Sequence, residues 1–246
     1  MAAKRARVAF VEPMLLLRTE KLPDGADWLY ELKFDGCRAL ALKSGGRVQL
    51  RSRNDNDFAV RYSSVADALS GLPDDTVIDG EVVALDADGK PSFNMLQNFG
   101  SAGAPLHFFV FDLLVLNGKD VTAESLVTRR ELLEKRALPK LAEPVRYSPE
   151  LKASLKDLIQ PVKAQGLEGL VAKRRDSKYE SGPAFRSLAE NARQSGAGVR
   201  NRRIHAIAQE LRRAGDRLLR WWQTDLCGAH SKRIHTGVTD GTLEKD

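Results

Sequence analysis

Residues 28–42, WLYELKFDGCRALAL, read as β-strand, rich in aromatic and aliphatic side chains, yet Lys33 sits in the middle of the run. Asp35, Gly36 and Arg38 follow at once. A lysine in an apolar strand is ordinarily an edge residue whose ammonium snorkels to water. The other reading is a nucleophile: burial disfavours the ammonium, lowers its pKa and frees an amine to attack an electrophile. Asp35 and Arg38 suggest that the electrophile carries phosphate, because a guanidinium holds phosphate or sugar oxygens in a fork. Gly36 is expected to let the backbone come close to a ligand.

Outward from this stretch, residues 28–34, 37–43, 47–52, 76–85 and 107–116 have the apolar, partly alternating pattern of strands. They are bounded by the turn residues SGG, LPDD and LNGKD, and a further strand, GLVAKRR, is expected at 169–175. Helical patterns fall at 60–70, 128–136 and 154–165, the last interrupted by Pro161. Short strand–turn–strand connections favour antiparallel pairing, and the fold class is α+β. No internal repeat or low-complexity segment is visible.

The chain of 246 residues suits one large domain, or one domain plus a smaller module, with an ordinary apolar share for a packed core. No run approaches a membrane span, and MAAKRARVAFVEP lacks a signal-peptide core, so no membrane partner is expected. Cys37 and Cys227 are too few for a disulfide framework or a zinc site, which points to the cytoplasm. The net charge of +6 would suggest an anionic partner, but it is unevenly placed. Residues 184–246 hold 12 Lys and Arg against 7 Asp and Glu; residues 1–183 hold 27 against 26. His205, His230, His235, Trp221 and Trp222 also fall in the tail. Two compositions join near Pro183.

ELKFDGCR resembles the E-x-K-x-D-G-x-R signature of the covalent nucleotidyltransferases: ATP-dependent DNA ligases, RNA ligases and mRNA capping enzymes. RSRN (51–54), DGE (79–81), FFVFDLLVLNG (108–118) and EGLVAK (168–173) resemble the companion motifs, in family order, over residues 10–183. SRN and FDLLVLNG are more like DNA ligases than capping enzymes, and VEPMLL is similar to the start of the ligase module of bacterial end-joining DNA ligases. The resemblance implies two mainly antiparallel sheets around an ATP cleft. It implies that Lys33 attacks the α-phosphate of ATP and becomes lysyl-AMP. Glu31, two residues earlier and so on the same strand face, would accept a hydrogen bond from the adenine amino group. Arg38 and Arg53 would hold ribose and phosphate oxygens, and Phe111 would stack on the adenine. Glu81 and Glu168 would serve the ribose and Mg²⁺, and Lys173 would neutralise charge at the α-phosphate. Asp35 would orient a neighbour or cap the turn. The implied activity is sealing of nicked double-stranded DNA by a monomer, with an end-binding repair protein as a further partner. An RNA ligase or capping-type enzyme is the sister reading. A non-catalytic nucleotide- or DNA-binding remnant is the reading from another class.

After SKYESGP the resemblance calls for an S-G-x-W-x-K-like motif and an OB barrel, and neither pattern follows. Strand patterning stops there, which predicts an unpaired sheet edge. Read one base later, with synonymous codons free, residues 184–205 can encode HSGAWRKMRVNQGQEFVIGGYT, which resembles that motif. Residues 184–246 are therefore expected to be a frameshifted remnant of the last adenylation motif and the start of an OB domain. The alternative is a real basic amphipathic helix over RIHAIAQELRRAGDRLLRWWQ, with Ile204, Ile207, Leu211, Leu218 and Trp222 at helical spacing.

Overall fold

The strands in chain order are β1 (Leu17–Arg18), β2 (Trp28–Lys33), β3 (Cys37–Ser44), β4 (Arg47–Ser52) and β5 (Thr76–Ala84). They continue with β6 (Leu106–Leu116), β7 (Lys119–Asp120), β8 (Val145–Tyr147), β9 (Gly169–Arg174) and β10 (Leu188–Ala192). The helices are α1 (Ser63–Ala68), α2 (Phe93–Gln97), α3 (Phe99–Ala102), α4 (Leu126–Leu132) and α5 (Leu155–Ala164). A 3₁₀ turn, Leu69–Gly71, extends α1, and a π-helical turn, Leu133–Ala137, extends α4. The structure is a computed structural model and describes residues 6, 8–182 and 188–192. Residues 193–246, with the proposed amphipathic segment, lie outside the described residues.

Two sheets form. The smaller has the order β1-β10-β9-β2, and the larger β4-β3-β5-β6-β7 with β8 added beside β6. Pairing is antiparallel except for β1 with β10 and β6 with β8. The turns explain two of the hairpins. Gly45 and Gly46 join β3 to β4 at φ of 57° and 74°, and Asn117 and Gly118 join β6 to β7 at 51° and 78°. Two successive positive φ values match the right-handed twist of flanking strands, and Gly or Asn adopts them at least cost.

Strand β3 is buried on both faces, which is why it reads as an unbroken apolar run. Ala39 and Ala41 pack with Tyr62, Val65 and Leu69 around α1, while Leu40 and Leu42 pack with Met14, Tyr179 and Leu188 on the opposite side. Along strand β6 this alternation is interrupted, with two register shifts against β5, between Val77 and Ile78 and between Asp79 and Gly80. Phe111 is an extra residue at one of these bulges, a device that re-aims a side chain.

Two expectations are corrected. Helix α5 runs through Pro161 without interruption. Leu155, Leu158, Pro161 and Val162 form its buried face, and that burial outweighs the lost backbone hydrogen bond. Strand pairing also continues beyond Pro183: β10 pairs with β9 and β1, so the β9 edge is covered. The sequence LAENA has poor intrinsic strand propensity. What makes it a strand is the ladder of backbone groups that β9 and β1 offer.

Candidate active site

A cleft of about 660 Å³ opens between the two sheets, a size suited to a nucleotide. Strand β2 contributes Glu31 and Lys33 from one face, as the two-residue spacing predicts. Antiparallel β9 sets Val171 opposite Glu31 and Gly169 opposite Lys33, so Lys173 and Glu168 reach the same cleft. The larger sheet supplies Arg38, Glu81 and Phe111. Arg53 is exposed at the cleft wall just after β4. All eight residues to which the resemblance gives a role toward nucleotide or metal therefore line one cavity.

Lys33 is half-buried and its Nζ donates to Glu168, with Glu190 of β10 on another flank at 3.3 Å. Burial pushes its pKa down, but the hydrogen bonds and charges of Glu168 and Glu190 outweigh burial, and the pKa is raised. The expectation that burial lowers it is thus reversed in this arrangement. The reason is that two carboxylates, Glu168 just before β9 and Glu190 on β10 two strands away, were not legible as its neighbours. Burial in turn raises the Glu168 carboxyl, partly countered by Lys33.

Glu31 is 2% exposed and fully engaged. It accepts from Arg130, from Lys173 Nζ at 3.0 Å and from Ser148 Oγ at 3.3 Å. Arg130 also donates to the Ser148 carbonyl at 2.7 Å and more weakly to the Phe111 carbonyl at 3.3 Å. Burial, then the neighbouring Arg130 cation, holds Lys173 below the ordinary lysine value despite Glu31. Lys173 Nζ and the Arg38 guanidinium lie over the Phe111 ring, at 4.2 and 4.6 Å from its centroid.

Arg38 presents Nε and Nη2 to the two carboxylate oxygens of Asp79, both at 2.6 Å. Asp79 is fully buried and also accepts from the Tyr179 hydroxyl at 2.7 Å. Glu81, two residues along β5, is pushed up to about 8, chiefly by burial and against the pull of Arg38, with Asp79 and Glu168 adding to the rise. Asp35 accepts from the Phe93 amide at 3.0 Å, so it holds the start of α2. Gly36 serves the fold before any ligand: a Cβ there would lie 2.4 Å from the Val82 carbonyl oxygen. The close approach expected of it is to β5.

Arg130, Asp79, Tyr179, Ser148 and Glu190 were missed as members of this site. Arg130 had a signal. Leu126, Arg129, Arg130, Leu133 and Ala137 are buried at helical spacing, so two arginines occupy the apolar stripe of α4. Arg129 is satisfied there by Asp112, through a two-point pairing at 2.7 and 2.9 Å. Among the described residues no three acidic, His or Cys side chains form a ready-made metal site. Magnesium does not need one, since it is held by one or two carboxylates together with phosphate oxygens and water. Glu81 and Glu168, coupled through their charges across the cleft, have that chemistry.

A profile of the ATP dependent DNA ligase domain matches residues 13–189. The multifunctional non-homologous end joining protein LigD of Pseudomonas aeruginosa is 35% identical over 175 residues, 70% of this chain and 21% of that protein. DNA ligase C1 of Mycolicibacterium smegmatis is 32% identical, covering 79% of this chain and 60% of that protein. The chain thus spans less than two thirds of these relatives' own length. Among solved structures, mycobacterial DNA ligase D complexed with ATP and MES superposes with a TM-score of 0.65 at 31% identity, over 74% of this chain and 60% of that one. A Chlorella virus DNA ligase-adenylate shares the fold, with a TM-score of 0.50. The matched span, with the Lys33 cleft inside it, makes the chain a member of the ATP-dependent DNA ligase domain family.

Proposed function

We propose that this cleft takes ATP as substrate, transfers AMP to Lys33 and passes it to the 5′-phosphate of nicked double-stranded DNA. The observation that carries the reading is the meeting of Lys33, Glu168, Lys173, Glu31 and Phe111 in one cavity. In the first step the Lys33 amine attacks the α-phosphorus, a nitrogen–phosphorus bond forms, and the bond to the β-phosphate oxygen breaks. Pyrophosphate leaves with the electron pair. Glu168, hydrogen-bonded to Lys33, is within reach to receive the amine's proton. Lys173, paired to Glu31 but adjoining Phe111, supplies positive charge toward the base and α-phosphate side. Arg38, Arg53 and Glu81 would hold the ribose and phosphate oxygens. Glu81 and Glu168 would hold Mg²⁺, which when bound screens the phosphate charge.

The end-joining names of the relatives support a role at DNA breaks, beside an end-binding protein. Action as a cytoplasmic monomer is part of the same proposal. Among the described residues no helix is long and apolar enough to cross a membrane. The out-of-frame reading of residues 184–246 is part of the same proposal, and genomic sequence across codons 175–195 tests it: one base fewer, which restores the SGAWRK-like frame, is the expected finding. The enzyme reading is tested by intact mass after incubation with ATP and Mg²⁺. A gain of one AMP, lost in Lys33→Ala, is expected. Labelling by GTP instead would point to capping chemistry, and no label on any residue would leave a binding remnant.

A further inference from the structure

Glu190 stands where a nucleotidyl-transfer site has no use for an anion. The β10 register sets Leu188 opposite Lys173 and Glu190 opposite Val171, so both side chains line the same cleft as Glu31 and Lys33. Its Oε2 lies 3.3 Å from Lys33 Nζ, and its side chain is only 17% exposed. An attacking amine must bring the phosphorus within roughly 3–3.5 Å. The carboxylate therefore occupies one of the approaches that the substrate needs, and it carries the same sign of charge as the phosphate. Phosphoryl transfer calls for cations aimed at the phosphate oxygens. Lys173 is already tied to Glu31 and Arg38 to Asp79, so the flank contributed by β10 is the natural place for a further cation.

We propose that Glu190 is a brake on nucleotide transfer: its carboxylate takes up the flank of Lys33 that a phosphate must approach, and reversing its charge releases the reaction. The genetic code adds a separate observation. A glutamate codon followed by the asparagine codon of position 191, read one base later, becomes AAA or AGA. Those specify lysine or arginine. The same DNA in the neighbouring frame thus places a cation where this chain has an anion, at the β10 side chain that lies beside Lys33.

The inference concerns the 246-residue chain with Glu190 in place and rests on the reading of Lys33 as the adenylated nucleophile; its test separates the two. Purified full-length chain, Glu190→Gln, Glu190→Lys and Lys33→Ala are incubated with ATP and Mg²⁺. AMP incorporation is followed by intact mass, and ATP affinity by calorimetry. Glu190→Gln is nearly isosteric, and circular dichroism checks that each variant is folded. Glu190→Gln is expected to raise the initial labelling rate about tenfold, the size of one lost like-charge contact in a half-buried cleft. It is expected to tighten ATP binding as well, and Glu190→Lys to exceed it in both. Equal labelling and equal affinity in the unaltered chain and Glu190→Gln would overturn the brake while leaving Lys33 as nucleophile. Tighter ATP binding in Glu190→Gln with no label in any variant would support repulsion by Glu190 and overturn the reading of Lys33. No label and no change in affinity would overturn both.

Discussion

Arg130 holds a buried carboxylate in place from a position with almost no access to water, its side chain being 6% exposed. Its fork serves Glu31 together with the Ser148 and Phe111 carbonyls, and Lys173 completes the set on Glu31. Breaking one member of a buried charge network leaves the remaining charge uncompensated. Arg130→Met is therefore expected to destabilise the fold by about 3–5 kcal/mol in urea unfolding. Arg130→Lys should recover little, since one ammonium cannot reproduce a planar fork. A loss below about 1 kcal/mol would mean that the network is not structural. Glu81 makes the opposite case, an acid disfavoured in its charged form. Its pKa rises from an ordinary 4.5 to about 8, so between those values the folded chain holds a proton that the unfolded chain has released. Stability of the ligand-free protein should thus fall as pH rises through that window, by at most about 1.4 kcal/mol per pH unit. Glu81→Gln should flatten that slope, and an unchanged slope would remove Glu81 as its source.

Among the elements, the β2–β3 connection determines how closely the cleft walls approach each other. Gly36 packs against β5, where an added Cβ would meet the Val82 carbonyl at 2.4 Å and Glu81 Cγ at 2.9 Å. Backbone cannot swing aside as a side-chain tip can, so Gly36→Ala should cost about 1–3 kcal/mol. The same shift should displace Glu81 and slow AMP labelling, so urea midpoint and labelling rate should fall together. A stable variant with normal labelling would show that the connection yields without moving the cleft. Strand β6 shows how an element can serve core and site at once. Phe108, Val110 and Leu113 face the helix-side core, and the two register shifts allow that alternation to break parity. Phe111 is freed by one of them to face the cleft. Strand β10 closes the other wall, with poor strand formers held by the partners on either side.

At the scale of the whole molecule, residues 1–183 are nearly neutral while the charge excess sits in residues 184–246. A DNA-sealing enzyme has to grip a polyanion, and phosphate contacts dominate such binding. The 246-residue chain is therefore expected to take up AMP more readily than it seals a nicked duplex, in a gel assay with a 5′-phosphorylated nick. Robust sealing would show that residues 184–246 supply the missing grip. Much of the fold was legible. Strands β2 to β6 and β9 fell where apolar runs and turn residues placed them, because those signals act over a few residues and reflect local backbone sterics. The short elements were not legible: β1, β7, β8, α2, α3 and β10 carry too little pattern, and their partners define them. The site divides in the same way. The sequence by itself determined that Glu31 and Lys33 share a face and that a family of cleft residues accompanies them. Only the tertiary structure decided that Glu168, 135 residues away, pairs with Lys33, that Arg130 secures Glu31 from 99 residues away, and that Glu190 faces the nucleophile. Charge state and partner choice depend on which distant segments exclude water from a group. That is a property of the packed sheets and of no single stretch of chain.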